Sequence, residues 1–450
     1  MNEPKPSLTE PALTRRSFLK NASTAMAGGA LLGALPIERF ALGASPGDTI
    51  RIALIGAGGR GRGAAAQALR TNGDVKLVAV ADAFKNSLEG GLKQIQSEIK
   101  DRPERLAVTE DTKFVGLDAY KKAIELADVV VIATPPGFRP IHFEEAVRQG
   151  KHVFMEKPVA VDGPGVRRVL AAAAEAKKRN LKVGVGLQRR HQNGYIETVK
   201  RLQDGEAGEI LAMRVYWNGG PVGPKARRAD LEKALGRPPT EMEYQLRNWY
   251  MFNWLCGDHI VEQHIHNLDV ANWVLNGYPV RALGMGGRAY QKGLDSGEIF
   301  DHHAVQYEYA NGVRVFSECR QIPGCWYSVS EHVHGTKGSS NVGNYTITGA
   351  NAWKYRGGGK DPYQQEHDDL FDAIRNDKPY NEAERGALSS MTAILGRMCT
   401  NSGKEITWEE ALNSKLDLMP SEFTWDAKPK VLPDENGIYP FAIPGKTVAV

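Results

Sequence analysis

Cysteine is scarce in this chain. Four residues in 450 are too few and too scattered for a disulfide framework. Cys319 and Cys325 are close enough in sequence to pair, but buried free thiols are the plainer account of all four. Long apolar runs are missing too. The stretch Ala22 to Ile37 is mildly apolar, short and rich in Ala and Gly, which excludes a stable membrane span. Nor is there an excess of charge of one sign. The 57 Lys/Arg against 53 Asp/Glu leave +4, and residues 1–44, with five basic and three acidic side chains, account for two of those charges. The remainder, about +2, gives no reason to expect a nucleic-acid partner. Internal repeats are absent. What remains is a globular composition, 42% hydrophobic and 24% charged, on a length that suits two domains of roughly 100–200 residues each.

The most informative stretch is Ile50-Arg51-Ile52-Ala53-Leu54-Ile55-Gly56-Ala57-Gly58-Gly59-Arg60-Gly61. An apolar strand ends in glycines, and an alanine-rich helical segment, Ala64 to Arg70, follows at once. A strand that turns tightly into a helix N-terminus exposes backbone N–H groups on which a pyrophosphate can sit. Gly56 permits the turn, Gly58 and Gly59 leave room for phosphates beside Arg60, and Gly61 permits close packing of helix on strand. The next strand, Val75 to Ala81, ends at Asp82, about 20 residues beyond the glycines, where a carboxylate accepts from ribose hydroxyls. The pattern predicts a dinucleotide, and Asp82 favours NAD over NADP because it repels a 2′-phosphate.

Upstream, Thr14-Arg15-Arg16-Ser17-Phe18-Leu19-Lys20 resembles the twin-arginine export signal, and small residues around Ala41 to Ala44 suit a signal peptidase. The resemblance implies export through the twin-arginine machinery to the periplasm, folded and already loaded with cofactor. No stable membrane insertion is expected after removal of residues 1–44.

Beyond Asp82, helices alternate with buried Val/Ile runs. Helical segments are expected at Ser87–Lys100, Ala119–Leu126, Ile141–Gln149 and Gly165–Lys178, and strands at Asp128–Ala133, His152–Met155 and Leu181–Val185. That rhythm predicts a doubly wound parallel sheet, with ligands at the carboxyl ends of its strands. Three loops should therefore converge there: Gly56–Gly61, Thr134-Pro135-Pro136 and Glu156-Lys157-Pro158. In this order and spacing the three loops resemble the Gfo/Idh/MocA oxidoreductases, a family of sugar and inositol dehydrogenases. The resemblance extends from about Ile50 to Ser414 and implies an N-terminal Rossmann domain (45–186), a C-terminal α+β domain with a large, open, mostly antiparallel sheet (187–419) and a tail (420–450). It places Thr134, Pro135, Glu156, Lys157 and Gln188 at the cofactor. Lys157 would stabilise negative charge on a substrate hydroxyl losing its proton. Arg189 and Arg190 follow Gln188 where the chain crosses between domains, and they either reach substrate or anchor the interface.

In the second half, Asp258 to Asn276 contains no proline and no glycine, which predicts one continuous helix. At about 100° per residue, Glu262, His266, Asp269 and Trp273 share one face within about 60°. Such a polar stripe is either a buried network or a site. It resembles the family's D-x-x-x-H-x-x-D helix, which makes His266 the proton acceptor and Asp269 the later acid. Glu262 stands where the family has aspartate, one methylene longer, and the resemblance implies a catalytic part for it, orienting substrate or His266. Histidine suits the task, since its unperturbed pKa lies near neutrality. No catalytic metal is expected: His264 and His266 face different ways on a helix, and no H-E-x-x-H occurs. Segments Val280–Arg288, His303–Tyr309, Val313–Cys319 and Tyr327–His334 read as strands of one sheet whose outer face suits a second copy of the chain. Gly219 to Tyr244 reads as a long Gly/Pro-rich loop, and Tyr363–Arg375 and Glu384–Met398 as helices.

These readings combine into an exported, NAD-dependent oxidoreductase that holds its cofactor tightly and acts on a secondary hydroxyl of a sugar or cyclitol. Two competitors use the same residues. One is a redox-neutral NAD-dependent glycoside hydrolase that oxidises, eliminates, hydrates and reduces again. The other is a non-catalytic sugar-binding protein that keeps its nucleotide for structure, against which the presence of both Lys157 and His266 counts.

Overall fold

The computed structural model describes residues 48–450, so the predicted export signal lies outside the described residues. The first half forms a six-stranded parallel sheet in the order β3-β2-β1-β4-β5-β6. Its strands are β1 (Ile50–Ile55), β2 (Val75–Asp82), β3 (Lys113–Val115), β4 (Val129–Ile132), β5 (His152–Met155) and β6 (Val183–Val185). Both faces are buried, which is why these strands read as continuous apolar runs. The register decides where the site falls. Ile55 pairs with Ala81 and with Ile132, Ile132 with Met155, and Met155 with Val185. Gly56, Asp82, Ala133, Glu156 and Gly186 therefore come one after another along a single sheet edge. The order reverses between β1 and β4, the switch point at which such sheets bind their ligands.

One helix of this domain comes from far along the chain. Helix Pro362–Arg375 buries Leu370, Phe371 and Ile374 in the apolar cluster of Ile50, Ile52 and Leu54. The boundary predicted at residue 187 is therefore incomplete. A parallel sheet needs cover on both faces, and here the chain returns from the second domain to supply part of it. His367, on this helix, packs 4.0 Å from the Phe154 ring inside that core.

The second sheet has nine strands in the order β14-β13-β12-β11-β7-β10-β9-β8-β15. They are β7 (Ile210–Gly219), β8 (Pro279–Gly287), β9 (His302–Tyr309), β10 (Arg314–Gln321), β11 (Ser328–Gly335), β12 (Gly338–Asn341), β13 (Thr346–Gly349), β14 (Trp353–Lys354) and β15 (Ile406–Thr407). Every pair is antiparallel except β7 with β10. Helices Ile265–Leu275 and Ala383–Ser402 cover one face. Leu283, Phe316 and Arg214 occupy adjoining register positions on the other face, and Leu283 and Phe316 are exposed.

Two expectations are corrected. Gly219 to Tyr244 is not a long loop, for helices Arg228–Leu235 and Glu241–Arg247 begin within it. Thr240 caps the second by accepting from the Glu243 N–H at 3.2 Å, a start signal present in the sequence but hidden among prolines. Residues 420–450 form no strand or helix, yet they are not a free tail. Phe423, Trp425, Val431 and Tyr439 pack with the insert helices in a third apolar cluster.

Buried histidines should shape the pH dependence of stability. Burial holds His142 and His264 neutral, lowering each to about 3, against about 6.5 in the unfolded chain. Their contribution is whole above about pH 6.5 and is lost as pH falls from there towards 3. His191 is buried, but Asp369 and Glu382 raise it to about 9. Its contribution is whole below about 6.5 and is lost as pH rises towards 9. Urea unfolding across pH 5–9 should therefore give highest stability near neutrality. The acid limb should fall by about 1–2 kcal/mol per histidine between pH 7 and 5, and His191→Gln should flatten only the alkaline limb.

Candidate active site

A cavity of about 720 Å³ opens along the carboxyl edge of the parallel sheet and runs to the second domain. Gly56, Gly58, Gly59, Arg60, Asp82, Thr134, Pro135, Glu156, Lys157, Gln188, Glu262 and His266 all line it. Gly61 does not, but it has the packing role expected of it. A Cβ there would lie 1.9 Å from the Gly56 carbonyl oxygen, so only glycine lets the helix approach the strand. Gly56 has φ +90°, and a Cβ on it would strike the Thr134 nitrogen at 2.8 Å. Beside Gly58 and Gly59 the space is open, a cradle of the kind a pyrophosphate fills. Asp82 accepts from the Ala57 N–H at 2.8 Å and the Phe84 N–H at 2.9 Å. It thereby fixes the glycine turn while lining the cavity. These residues fit a dinucleotide with free ribose hydroxyls.

Arg60 closes the loop region electrostatically. It donates to Glu156 at 2.5 Å and to Glu366 at 3.2 Å, and its guanidinium lies 4.9 Å from the Tyr363 ring. Burial and the neighbouring Glu156 push the Glu366 carboxyl well above the usual carboxylate range, against the pull of Arg60. Gln188 donates to the Tyr363 hydroxyl at 3.0 Å, and its side-chain oxygen is buried without a partner. The run Tyr363–His367 marks a helix start in the sequence and resembles a recurring family element, but nothing local places that helix, some 300 residues downstream, beside the glycine loop.

At the other end, Lys157 donates to the Glu262 carbonyl at 2.5 Å and to its carboxylate at 3.2 Å, a pair that joins the two domains. The expected continuous helix is in fact two, His259–Glu262 and Ile265–Leu275. At the joint the His264 N–H reaches back five residues to the His259 carbonyl, a wide turn common at functional sites. The extra residue lets Gln263 join Glu262 and His266 along the cavity wall. The His266 ring stacks on Trp217 at 5.9 Å. Burial first, then the positive charges of Lys157, Arg189 and Arg60, hold His266 well below its ordinary pKa. The ring is thereby held towards its unprotonated form.

Arg189, Arg190 and Asp269 are engaged in buried ion pairs. Arg190 forms a forked pair with Asp269 at 2.8 and 2.9 Å, and Ser389 also donates to Asp269 at 2.7 Å. Arg189 pairs with the buried Glu331, which also accepts from Tyr195 and Asn267. Neither arginine lines the cavity, and neither does Asp269. Each of these charges is committed to a buried partner within the second domain. Behind the cavity, Asp258, His259 and His303 bring potential ligand atoms within 4.8 Å of one another. The Asp258 oxygens already accept from His259 and from the Phe300 N–H at 2.9 Å.

Fold and cavity together define a two-domain dinucleotide-dependent enzyme core. Residues 50–186 match the family described as oxidoreductase family, NAD-binding Rossmann fold, and residues 195–341 match the GFO/IDH/MocA C-terminal domain. The chain belongs to the Gfo/Idh/MocA oxidoreductase family, and its first domain binds NAD. It is similar to inositol 2-dehydrogenase of Rhizobium meliloti, 26% identical over 65% of this chain and 74% of that one. Similarity to scyllo-inositol 2-dehydrogenase (NAD(+)) of Bacillus subtilis is 24% over the same shares. A crystal structure of scyllo-inositol dehydrogenase from Lactobacillus casei, with bound NAD(H) and scyllo-inositol, shares the fold. Its TM-score is 0.59 at 18% identity, and the match covers 80% of this chain and 100% of that one.

The Arg60 cluster makes a contrast that can be measured. Arg60→Met leaves Glu156 and Glu366 without their cation, and urea unfolding at pH 7 should show a loss of about 2–4 kcal/mol. Glu366→Gln should cost under about 1.5 kcal/mol, because that carboxyl is already held towards its protonated form.

Proposed function

We propose that this protein oxidises a secondary hydroxyl of a sugar or cyclitol with NAD that it holds tightly, and that it works in the periplasm after export through the twin-arginine route. The observation that carries this reading is the placing of neutral His266 and the Lys157–Glu262 pair in the same cavity as the glycine loop and Asp82. The hydroxyl proton passes to a His266 ring nitrogen, and the Lys157 ammonium stabilises the negative charge left on oxygen. NAD bound along the glycine loop would supply the hydride acceptor that turns the alcohol into a ketone. The inositol dehydrogenase names of its relatives support a polyhydroxylated ring as substrate. Trp217, which stacks on His266 and lines the cavity, offers such a ring an apolar face.

Export supports the tight cofactor. No free nicotinamide pool is expected outside the inner membrane, so an exported enzyme must keep its NAD and return the hydride to a second substrate or to the first product. The exposed Leu283 and Phe316 face of the nine-stranded sheet is proposed as the contact between copies of the chain.

The test is to purify the mature protein, identify any nucleotide released on denaturation, and screen sugars, cyclitols and glycosides for NADH formation and for aglycone release. His266→Ala should lower kcat by about 10²–10⁴ while nucleotide content stays unchanged. Lys157→Met should lower it by a similar factor. Aglycone release without NADH accumulation would replace net oxidation by a redox-neutral hydrolysis. Full activity in His266→Ala would overturn the assignment of the base.

A further inference from the structure

Rossmann crevices bind at the carboxyl ends of their strands, where the adenosine half of the nucleotide borders solvent. In this chain that border is covered. Asp82 marks the ribose position, and Phe84, two residues on, lines the cavity. Arg247, from the insert, lies with its guanidinium 4.1 Å from the Phe84 ring and lines the same cavity. Trp425, from the C-terminal segment, backs Phe84 at 5.4 Å. These three side chains come from segments more than 150 residues apart in sequence, and none belongs to the proton-transfer end of the cavity.

The cover is fastened on both sides. Towards the Rossmann domain, the Leu418 N–H donates to Asp162 at 2.9 Å, and Phe423 lies 5.5 Å from Phe138. Towards the insert, Thr240 donates to the Trp425 carbonyl at 2.7 Å, Gln245 to the Val431 carbonyl at 2.8 Å, and the Tyr439 hydroxyl to Glu241 at 2.6 Å. An apolar cluster runs beneath, joining Phe84 and Phe138 of the first domain to Leu246 and Tyr244 of the insert and Tyr439 of the C-terminal segment.

We propose that the insert and the C-terminal segment form a roof that retains NAD by its adenosine half, with Arg247, seated on Phe84, as the contact that closes over it. Phe84 is taken up by Arg247 and Trp425, and the guanidinium plane, which lines the cavity, is the surface on which a purine stacks. For adenosine to leave, Arg247 must swing off Phe84. That is opposed by the hydrogen bonds that tie the C-terminal segment to the insert, so the roof acts mainly on the rate of release. The inference rests on the proposed reading that the cofactor is held tightly, and it supplies the residues that would hold it.

The experiment uses the full mature chain loaded with radiolabelled NAD, freed of excess nucleotide and chased with unlabelled NAD. The expected result is slow release from the unaltered protein and release about tenfold faster from Arg247→Ala and from Trp425→Ala, the loss of one stacking contact. ADP-ribose, which shares only the adenosine half and the pyrophosphate with the roof, should show the same acceleration. Thermal unfolding of both variants checks that the fold is intact, and Arg247→Lys should restore part of the retention. Slow release that is unchanged in both variants would overturn the roof while leaving tight binding in place. Rapid release from the unaltered protein would overturn tight binding itself, and with it the roof.

Discussion

The guanidinium of Arg60 is the charge on which the rest of the site depends. The glycine turn cannot be held by its own side chains, because Gly56 and Gly61 have no room for a Cβ. Arg60 is the first residue past the glycines able to reach out, and it reaches both Glu156 at the end of β5 and Glu366 on the returning helix. Two buried carboxyls beside one another are costly without a cation between them, so the three groups determine one another's positions. Glu156 is followed by Lys157, which is bound to Glu262 across the domain boundary. One chain of ion pairs thus runs from the phosphate-binding loop to the wall that carries His266.

That chain explains the state of the base. A histidine near a carboxylate would be drawn towards its charged form. Here Glu262 is engaged by Lys157 and Asp269 by Arg190, so the carboxylates near His266 face cations of their own. What His266 feels instead is burial and a surplus of positive charge. The two arginines therefore act on His266 from the side. Arg190 occupies Asp269, and the positive charge of Arg189 helps to keep His266 neutral.

Much of this was legible from the chain. The parallel-sheet rhythm, the glycine turn, Asp82, Lys157 and the Glu262/His266 pair all follow from local patterns, and all of those residues line the cavity. The expected single helix from Asp258 to Asn276 was misread for a local reason. Asp258 has φ +76°, a conformation unfavourable for a residue with a Cβ, and the wide turn at His264 breaks the helical phase. Neither leaves a proline or glycine mark. The insert was misread for the opposite reason, because its prolines masked a good capping residue at Thr240. Arg247 and Trp425 had no local signal, and the helix-start run that holds Tyr363 and Glu366 says nothing of what those side chains meet.

The sequence by itself determined the fold class and the cofactor, and it singled out Lys157, Glu262 and His266, which line the cavity. Each of these rests on short-range rules: side-chain period, the steric freedom of glycine, and an acid or base at a fixed distance along a strand or helix. Only the tertiary structure decided which charges are spent on one another and which face the cavity. It also decided that residues 362–375 complete the first domain and that residues 420–450 pack against the insert helices. These outcomes depend on distances between segments hundreds of residues apart, and those distances are set by the packing of apolar faces.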